Sequence, residues 1–433
     1  MNKIRVGLIG LGTVGTGVAK VLLEKRAFLK KRTGIDFELA AVVDRNIKRK
    51  RDVKLPKGIL TTDIKRILED DSIDIVVELI GGYHPAKEFI ESALGRGKSV
   101  VTANKALLAR HGIELFKHAK KDGGDILFEA SVCGGIPLIL SVSLGLIANE
   151  ITGIYGIVNG TCNYILTKMA EEGMGFDAAL KGAQEKGFAE ADPSADIDGL
   201  DSMHKLVILS SIAFHQGLRE KNVFVEGIRN IDINDLNYAK NLGYTLKLLA
   251  IAKQSEKGIE LRVHPTLIPE ESSLASVRNE LNAVYLTGDI VGETMFYGRG
   301  AGMFPTASAV VSDIISAAQD RLNQNSGEFH FIELPSKITK RLLPKDEFSS
   351  AYYLRINAKD EPGVLSKISG ILGKNKVSIL SVIQEEKSSK GFVPLIFITH
   401  KSVERLVQKS IKEINSLDIV KGKTVSLRIE KEF

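Results

Sequence analysis

Ile4-Arg5-Val6-Gly7-Leu8-Ile9-Gly10-Leu11-Gly12-Thr13-Val14-Gly15 decides how the first part of the chain folds. A short apolar run reads as a buried strand, three glycines follow in the spacing G-x-G-x-x-G, and Val18, Val21 and Leu22 then repeat at a helical period. Strand, glycine turn and helix in that order are what a dinucleotide fingerprint requires. Gly10 permits the tight turn, Gly12 lets the backbone approach a pyrophosphate, and Gly15 lets the helix lie close to the strand. Free N–H groups at the helix start would hold the phosphates.

The next expected strand, 37–43, ends in Asp44, where a carboxylate can accept hydrogen bonds from the adenosine ribose. Arg45 follows, backed by Lys48, Arg49, Lys50 and Arg51, and suits a 2′-phosphate equally well, so NAD and NADP both stay open. Asp44 lies 29 positions after Gly15, more than the usual ~20. The extra length, with Arg26, Lys30, Lys31 and Arg32, is expected to lengthen the first helix and its loop as a solvated basic face.

Further strands are expected at 73–79, 99–102 and 126–129, with helices at 85–95 and 112–122. The alternation predicts an α/β domain with a Rossmann-like doubly wound parallel sheet, whose ligands sit beyond the carboxyl ends of the strands. The loops Ile80-Gly81-Gly82 and Thr102-Ala103-Asn104-Lys105 fall there. Lys105 in such a loop reaches cofactor or substrate, or is simply solvated.

After residue 130 the pattern changes. Ser131-Val132-Cys133-Gly134-Gly135-Ile136-Pro137 is a glycine turn leading into an apolar helix expected over 138–146. Glu129 before it can join backbone carbonyls around a hard cation, or can merely stabilise the turn. Ile157-Val158-Asn159-Gly160-Thr161-Cys162-Asn163-Tyr164 reads as a strand entering a helix whose polar start suits an anionic or zwitterionic ligand. The segment 188–205 is dense in carboxylates, and its helix begins beyond Gly199. Asp201 and Lys205, four apart, share one face, as a plain surface ion pair or as working groups.

Strands near 259–263 and 284–287 and the Gly288-Asp289 turn predict a mixed α+β domain. The helix 305–322 is expected to pack back on the nucleotide domain, and 323–350 reads as a linker. The last part runs strand, helix, strand, strand, helix, strand, with Asp360-Glu361-Pro362-Gly363-Val364-Leu365 between its first strand and first helix. That is a ferredoxin-like βαββαβ order.

Composition narrows the partners. The net charge of +6 comes from 59 basic and 53 acidic residues scattered along the chain, with no tryptophan and 6% aromatics. A nucleic-acid surface is not expected, and small anions are. No uncharged stretch is long enough to span a bilayer. Cys133 and Cys162 match neither a metal spacing nor a disulfide framework, so a reducing cytoplasmic setting is expected.

Together the fingerprint, Thr102 to Lys105, Glu129 through Pro137, Asn159-Gly160-Thr161, Gly187 through Asp201 to Lys205, and Gly300-Ala301-Gly302 resemble homoserine dehydrogenase. The C-terminal part resembles an ACT domain, a small-molecule sensing module. The resemblance implies reversible reduction of L-aspartate 4-semialdehyde to L-homoserine by NADPH or NADH, on the route to threonine, methionine and isoleucine. It implies Lys205 as proton donor, Lys105 as a second catalytic lysine, and Glu190 and Asp201 as ligands of the substrate's amino acid end. Gly10, Gly12, Thr13, Val14, Gly15, Asp44, Arg45, Thr102, Lys105, Gly187 and Gly302 fall on the cofactor side. Glu129 with the carbonyls of Val132, Gly134 and Ile136 would hold a structural sodium ion.

Threonine, bound near Asp360, Gly363, Val364 and Leu365, is the implied effector. The domain expectation is a dinucleotide-binding domain at 1–130, a substrate and dimerisation domain at 131–322, a linker at 323–350 and an ACT domain at 351–433. A homodimer or homotetramer is expected, because sheet edges and ACT modules pair. A dehydrogenase for another amino acid semialdehyde, or a non-catalytic amino acid sensor, are the competing expectations.

Overall fold

The computed structural model describes residues 2–323, 334–384, 391–431 and 433. By contacts it divides into two compact units that do not follow chain order. One holds Met1–Gly160, Leu200–Val223 and Glu280–Lys340; the other holds Thr161–Gly199, Phe224–Asn279 and Arg341–Phe433.

In the first unit six parallel strands lie in the order Leu60–Thr61, Ile35–Val43, Asn2–Ile9, Ile75–Glu78, Ser99–Thr102, Ile126–Leu127. This 3-2-1-4-5-6 arrangement is the doubly wound dinucleotide-binding order. Val6, Leu8, Val42, Val77 and Val101 share its core with Val18 and Leu22 of the helix Thr13–Glu24 and with Val310 and Ile314 of the helix Met303–Leu322. Each such fully buried aliphatic contributes about 2 kcal/mol, which fixes the strands and leaves polar loops at their carboxyl ends. The two helices approach closely at Gly17, where a Cβ would come within 2.8 Å of the Met303 carbonyl.

Three details depart from the expected elements. The basic stretch after the first helix is a separate helix, Arg26–Thr33, begun after a break at Lys25 and ended by Gly34 in the left-handed region. It accounts for the long spacing to Asp44, and Arg26 and Lys30 pair with Asp36. The helix expected at 112–122 begins at Lys105, because Asn104 caps it by accepting the Leu107 N–H at 3.1 Å. Lys105 is thus a first-turn helical residue and not a loop residue. The helix expected at 138–146 is only one α-turn, Leu138–Leu140, running into a π-helical turn at Ser141–Gly145. Ser141 and Ser143 donate to the carbonyls four residues back, Pro137 and Ile139, a pattern that loosens a helix.

The first unit also contains the antiparallel strands Ile151–Ile157, Leu281–Gly288 and Gly292–Arg299, and the helix Leu200–Ala213. In the second unit Tyr244–Ser255 and Gly258–Pro269 pair antiparallel along their whole length. Gly258–Pro269 then runs parallel to Val425–Ile429, which continues into Ser349–Lys359, Phe392–Thr399 and Ile379–Gln384. With the helices Val364–Lys374 and Glu404–Asn415 these four strands form the ferredoxin-like module around Tyr352, Ile356, Ile368, Phe397 and Val407. The module's first strand begins at Ser349, and residues 324–333 of the expected linker lie outside the described residues.

Candidate active site

The fingerprint turn is built as its sequence requires. Gly10 has φ +97°, and a Cβ on Gly15 would stand 2.1 Å from the Gly10 carbonyl, so only glycine fits there. Around Gly12 the space is open, as a backbone that receives a phosphate needs.

Asp44 faces this turn. Its carboxylate accepts the Leu11 N–H and the Asn46 N–H, both at 2.8 Å, and pairs with Arg51 at 2.7 Å. Partial burial works against the charge, but these bonds and Arg51 hold the carboxyl below its usual range. Arg51 also donates to the Leu11 carbonyl at 2.7 Å. Arg45, by contrast, is exposed. Of the basic cluster, Arg51 is the one tied to the fingerprint.

The strand ends opposite are organised by Glu78, a fully buried carboxylate closing the apolar run Ile75–Glu78. It accepts the N–H groups of Ile80 and Gly81 and the Thr102 hydroxyl at 2.6 Å. Asn104 ties the two loops by donating to the Gly82 carbonyl at 2.7 Å. Thr102 is fully buried, its hydroxyl already engaged.

This scaffold sets Lys105 at a helix start, where its ammonium lies 3.1 Å from Asp201 Oδ1. Lys205, one turn along the helix from Asp201, donates to Asp201 Oδ2 at 2.7 Å and to the Val158 carbonyl at 2.6 Å. Asn159, just past the strand Ile151–Ile157, donates to the same Oδ2 at 2.8 Å. Asp201 is buried. Burial opposes its charge, yet Lys205, Lys105 and the Asn159 amide hold its carboxyl far below the usual range. The i,i+4 pair is therefore no solvated surface bridge, since one buried carboxylate carries two lysines.

Beside it, His204 Nε2 lies 3.0 Å from Glu220 Oε1, and burial keeps its imidazole below the ordinary value although Glu220 pulls the other way. Such an arrangement can place an ammonium next to a polar substrate oxygen, stabilise negative charge there and deliver a proton.

Glu129 is buried, and its two oxygens accept the N–H groups of Ile139 and Leu140 at 2.9 and 2.8 Å. Burial pushes its carboxyl up. Its own N–H donates to Asp313, a carboxyl also raised by burial and by Glu129. Gly302, with φ +121°, stands at the start of the helix Met303–Leu322.

Glu190 and Gly187 belong to the second unit, where both are exposed, and Gly187 has φ +73°. There the Thr161 hydroxyl donates to the Phe188 carbonyl at 2.6 Å. In the ferredoxin-like module Gly363 starts the helix Val364–Lys374 at φ +90°, Asp360 accepts from Gln384 at 3.2 Å, Val364 is buried and Leu365 exposed.

Asn159 and Glu78 have no specific role in the sequence reading, and Arg51 enters it only as one of the basic residues backing Arg45. The signal for Glu78 is a single charge ending an apolar strand. Asn159 stands in a quoted motif, but only the fold shows that it turns to Asp201.

Family models match this chain in three places: the homoserine dehydrogenase NAD-binding domain at residues 10–129, homoserine dehydrogenase at 137–315, and the ACT domain at 352–418. A homoserine dehydrogenase of Pseudomonas aeruginosa is 43% identical over the whole of both chains. The structure of a homoserine dehydrogenase from Thiobacillus denitrificans superposes with a TM-score of 0.94, at 43% identity, covering 100% of this chain and 99% of that one. A hyperthermophilic archaeal homoserine dehydrogenase in complex with NADPH superposes at 0.61, with 27% identity over 73% of this chain and 98% of that one. With its fingerprint, its lysine-flanked aspartate and full-length relatives well above 30% identity, the chain belongs to the homoserine dehydrogenase family.

Proposed function

We propose that this protein interconverts L-homoserine and L-aspartate 4-semialdehyde with NAD(H) or NADP(H), through the cluster of Asp201, Lys105 and Lys205. The observation that carries the reading is one buried carboxylate holding two lysines at 3.1 and 2.7 Å in the unit that also bears the fingerprint. A bound nicotinamide supplies or takes up the hydride. The residues do the rest. The fingerprint's Gly10, Gly12, Thr13, Val14 and Gly15 cradle the phosphates, with Asp44 and Arg45 on the ribose side and Thr102, Gly187 and Gly302 as further cofactor contacts. Lys205 delivers a proton to the carbonyl oxygen as charge develops there, and in the reverse direction its neutral amine takes the hydroxyl proton. Lys105 adds positive charge beside that oxygen. Asp201 holds both lysines and, with Glu190, receives the substrate ammonium.

A structural sodium ion is assigned to Glu129 and the carbonyls of Val132, Gly134 and Ile136. The donor set fits, because the Glu129 oxygens accept backbone N–H groups from Leu138, Ile139 and Leu140 yet, among the described residues, no side-chain cation, and a bound cation would offset the burial of this carboxylate. Threonine is assigned to the turn of Asp360, Gly363, Val364 and Leu365 as feedback effector. The division at 1–130, 131–322, 323–350 and 351–433 is kept, each family-model match falling inside one domain.

Homodimers or homotetramers in the cytoplasm complete the reading. The strand Ile379–Gln384 ends its sheet with Leu380, Val382 and Ile383 exposed, and both cysteines are buried. Among the described residues no helix is long and apolar enough to cross a membrane.

The test is the initial rate of nicotinamide reduction with L-homoserine, using NAD and NADP in parallel, with and without threonine, in sodium and in choline buffers. Activity with either cofactor is expected, falling with threonine and losing thermal stability without sodium. Silence with both cofactors would transfer the reading to another semialdehyde or to a sensor. Light scattering that finds only monomer would remove the oligomer.

A further inference from the structure

A cavity of about 350 Å³ lies wholly within the second unit, and no residue assigned above lines it. The helix Gly160–Glu172 gives it Glu171, the helix Ile233–Asn241 gives Lys240, and the strand Tyr244–Ser255 gives Lys247. Glu270 and Arg278 come from the segment that follows the strand Gly258–Pro269. Arg278 pairs with Glu171 at 3.0 Å. That leaves two ammonium groups against the single carboxylate of Glu270. Lys247 is the decisive one, because it is only 4% exposed. Its Nζ donates to Asn163 Oδ1 at 3.2 Å and to the Val277 carbonyl, both neutral acceptors. A buried ammonium held only by neutral acceptors is electrostatically costly, and burial pushes Lys247 down to about 8 although Glu171 works against this. A lysine that merely pinned the 270–278 segment would not need a cavity beside it, nor a second lysine on the cavity wall.

We propose that this cavity is a second ligand site, distinct from the catalytic cluster, that binds a small dicarboxylate, one carboxylate meeting Lys247 inside and the other Lys240 at the exposed wall. The volume holds a four-carbon dianion, and the anion supplies the charge partner that Lys247 lacks among its hydrogen bonds.

The experiment is calorimetric titration of the full-length protein with succinate at about pH 8.5, in two buffers of different ionisation enthalpy, with L-homoserine present to fill the catalytic site. Saturable binding with uptake of up to about one proton is expected, because an anion beside Lys247 returns its amine to the charged form. Lys247→Met should abolish the proton uptake and weaken binding by at least about tenfold. Lys240→Met, at an exposed position that folding tolerates, should weaken binding and leave the proton count unchanged. Absence of saturable heat, binding without proton uptake, or unaltered binding in Lys240→Met would overturn the site. Inorganic phosphate binding as tightly as succinate would overturn the dicarboxylate assignment.

Discussion

Two buried carboxylates in this protein are each held by cations, and they are held differently. Asp201 shares its oxygens between two lysines and the Asn159 amide. Glu404, in the ferredoxin-like module, is clamped by Arg428 through Nε and Nη2 at 2.9 and 2.8 Å and also accepts the Tyr352 hydroxyl and the Gln408 amide. An arginine fork fits a carboxylate in two places and keeps its proton, so the second site is saturated and inert. A lysine is a point charge with rotatable protons that it can give up. One carboxylate between two ammonium groups leaves net positive charge where a substrate oxygen can use it. The difference between architecture and chemistry here is the choice of cation and the count of charges, for burial is similar.

If that contrast is right, the largest effect comes from Lys205→Ala. Removing the proton donor should lower kcat by about 10³-fold while KM changes far less and the urea midpoint stays near that of the parent protein. An unchanged kcat would remove Lys205 from the chemistry and make the Asp201 cluster a structural one like that of Glu404.

Next in size is the mirror experiment. Arg428→Met leaves Glu404 buried without its cation and should cost about 3–5 kcal/mol of stability in urea titrations, with kcat of the folded protein within about threefold of the parent. The loss falls on a carboxyl that burial opposes and that Arg428 above all holds below its usual range. Full stability in this variant would break the comparison from the other side.

How much of this was legible in the sequence follows from the range of the interactions. The fingerprint is local. Gly10, Gly12 and Gly15 answer to a turn and a strand within a dozen residues, and the structure builds that turn as their spacing requires. The Asp201–Lys205 pair was legible as a pair because helical spacing fixes it. Its burial was not, because that depends on Lys105, in the first turn of a helix, and Asn159, just past a strand, 96 and 42 positions earlier in the chain. Helix starts were misjudged where one side chain decides them. Asn104 moves the helix start from the expected 112 to Lys105, and the serine hydroxyls of 141 and 143 turn an expected helix into a π-helical turn. Arg428 and Glu404 carry no sequence signal, since their ion pair depends wholly on how the module closes.

The smallest effect tests whether Asp201 must be oriented or merely charged. Asn159 donates to Oδ2, the same oxygen that accepts the Lys205 hydrogen bond. A carboxylate held by two lysines at different oxygens can rotate, and rotation would move the Lys205 ammonium off the line to the substrate oxygen. The Asn159 amide opposes that rotation at the cost of one neutral-to-charged hydrogen bond, worth about 1.5–3 kcal/mol where it is buried. Asn159→Ala should therefore lower kcat by about tenfold, with KM for homoserine nearly unchanged. Asn159→Asp should lose more than Asn159→Ala, because a second carboxylate beside Asp201 removes the donor and adds like charge. Its remaining activity should shift to a different pH range, which a merely structural amide would not do. Equal kcat and equal pH profiles in both variants would mean that two lysines alone suffice to hold Asp201, and that the asymmetry with Glu404 lies only in the charge count.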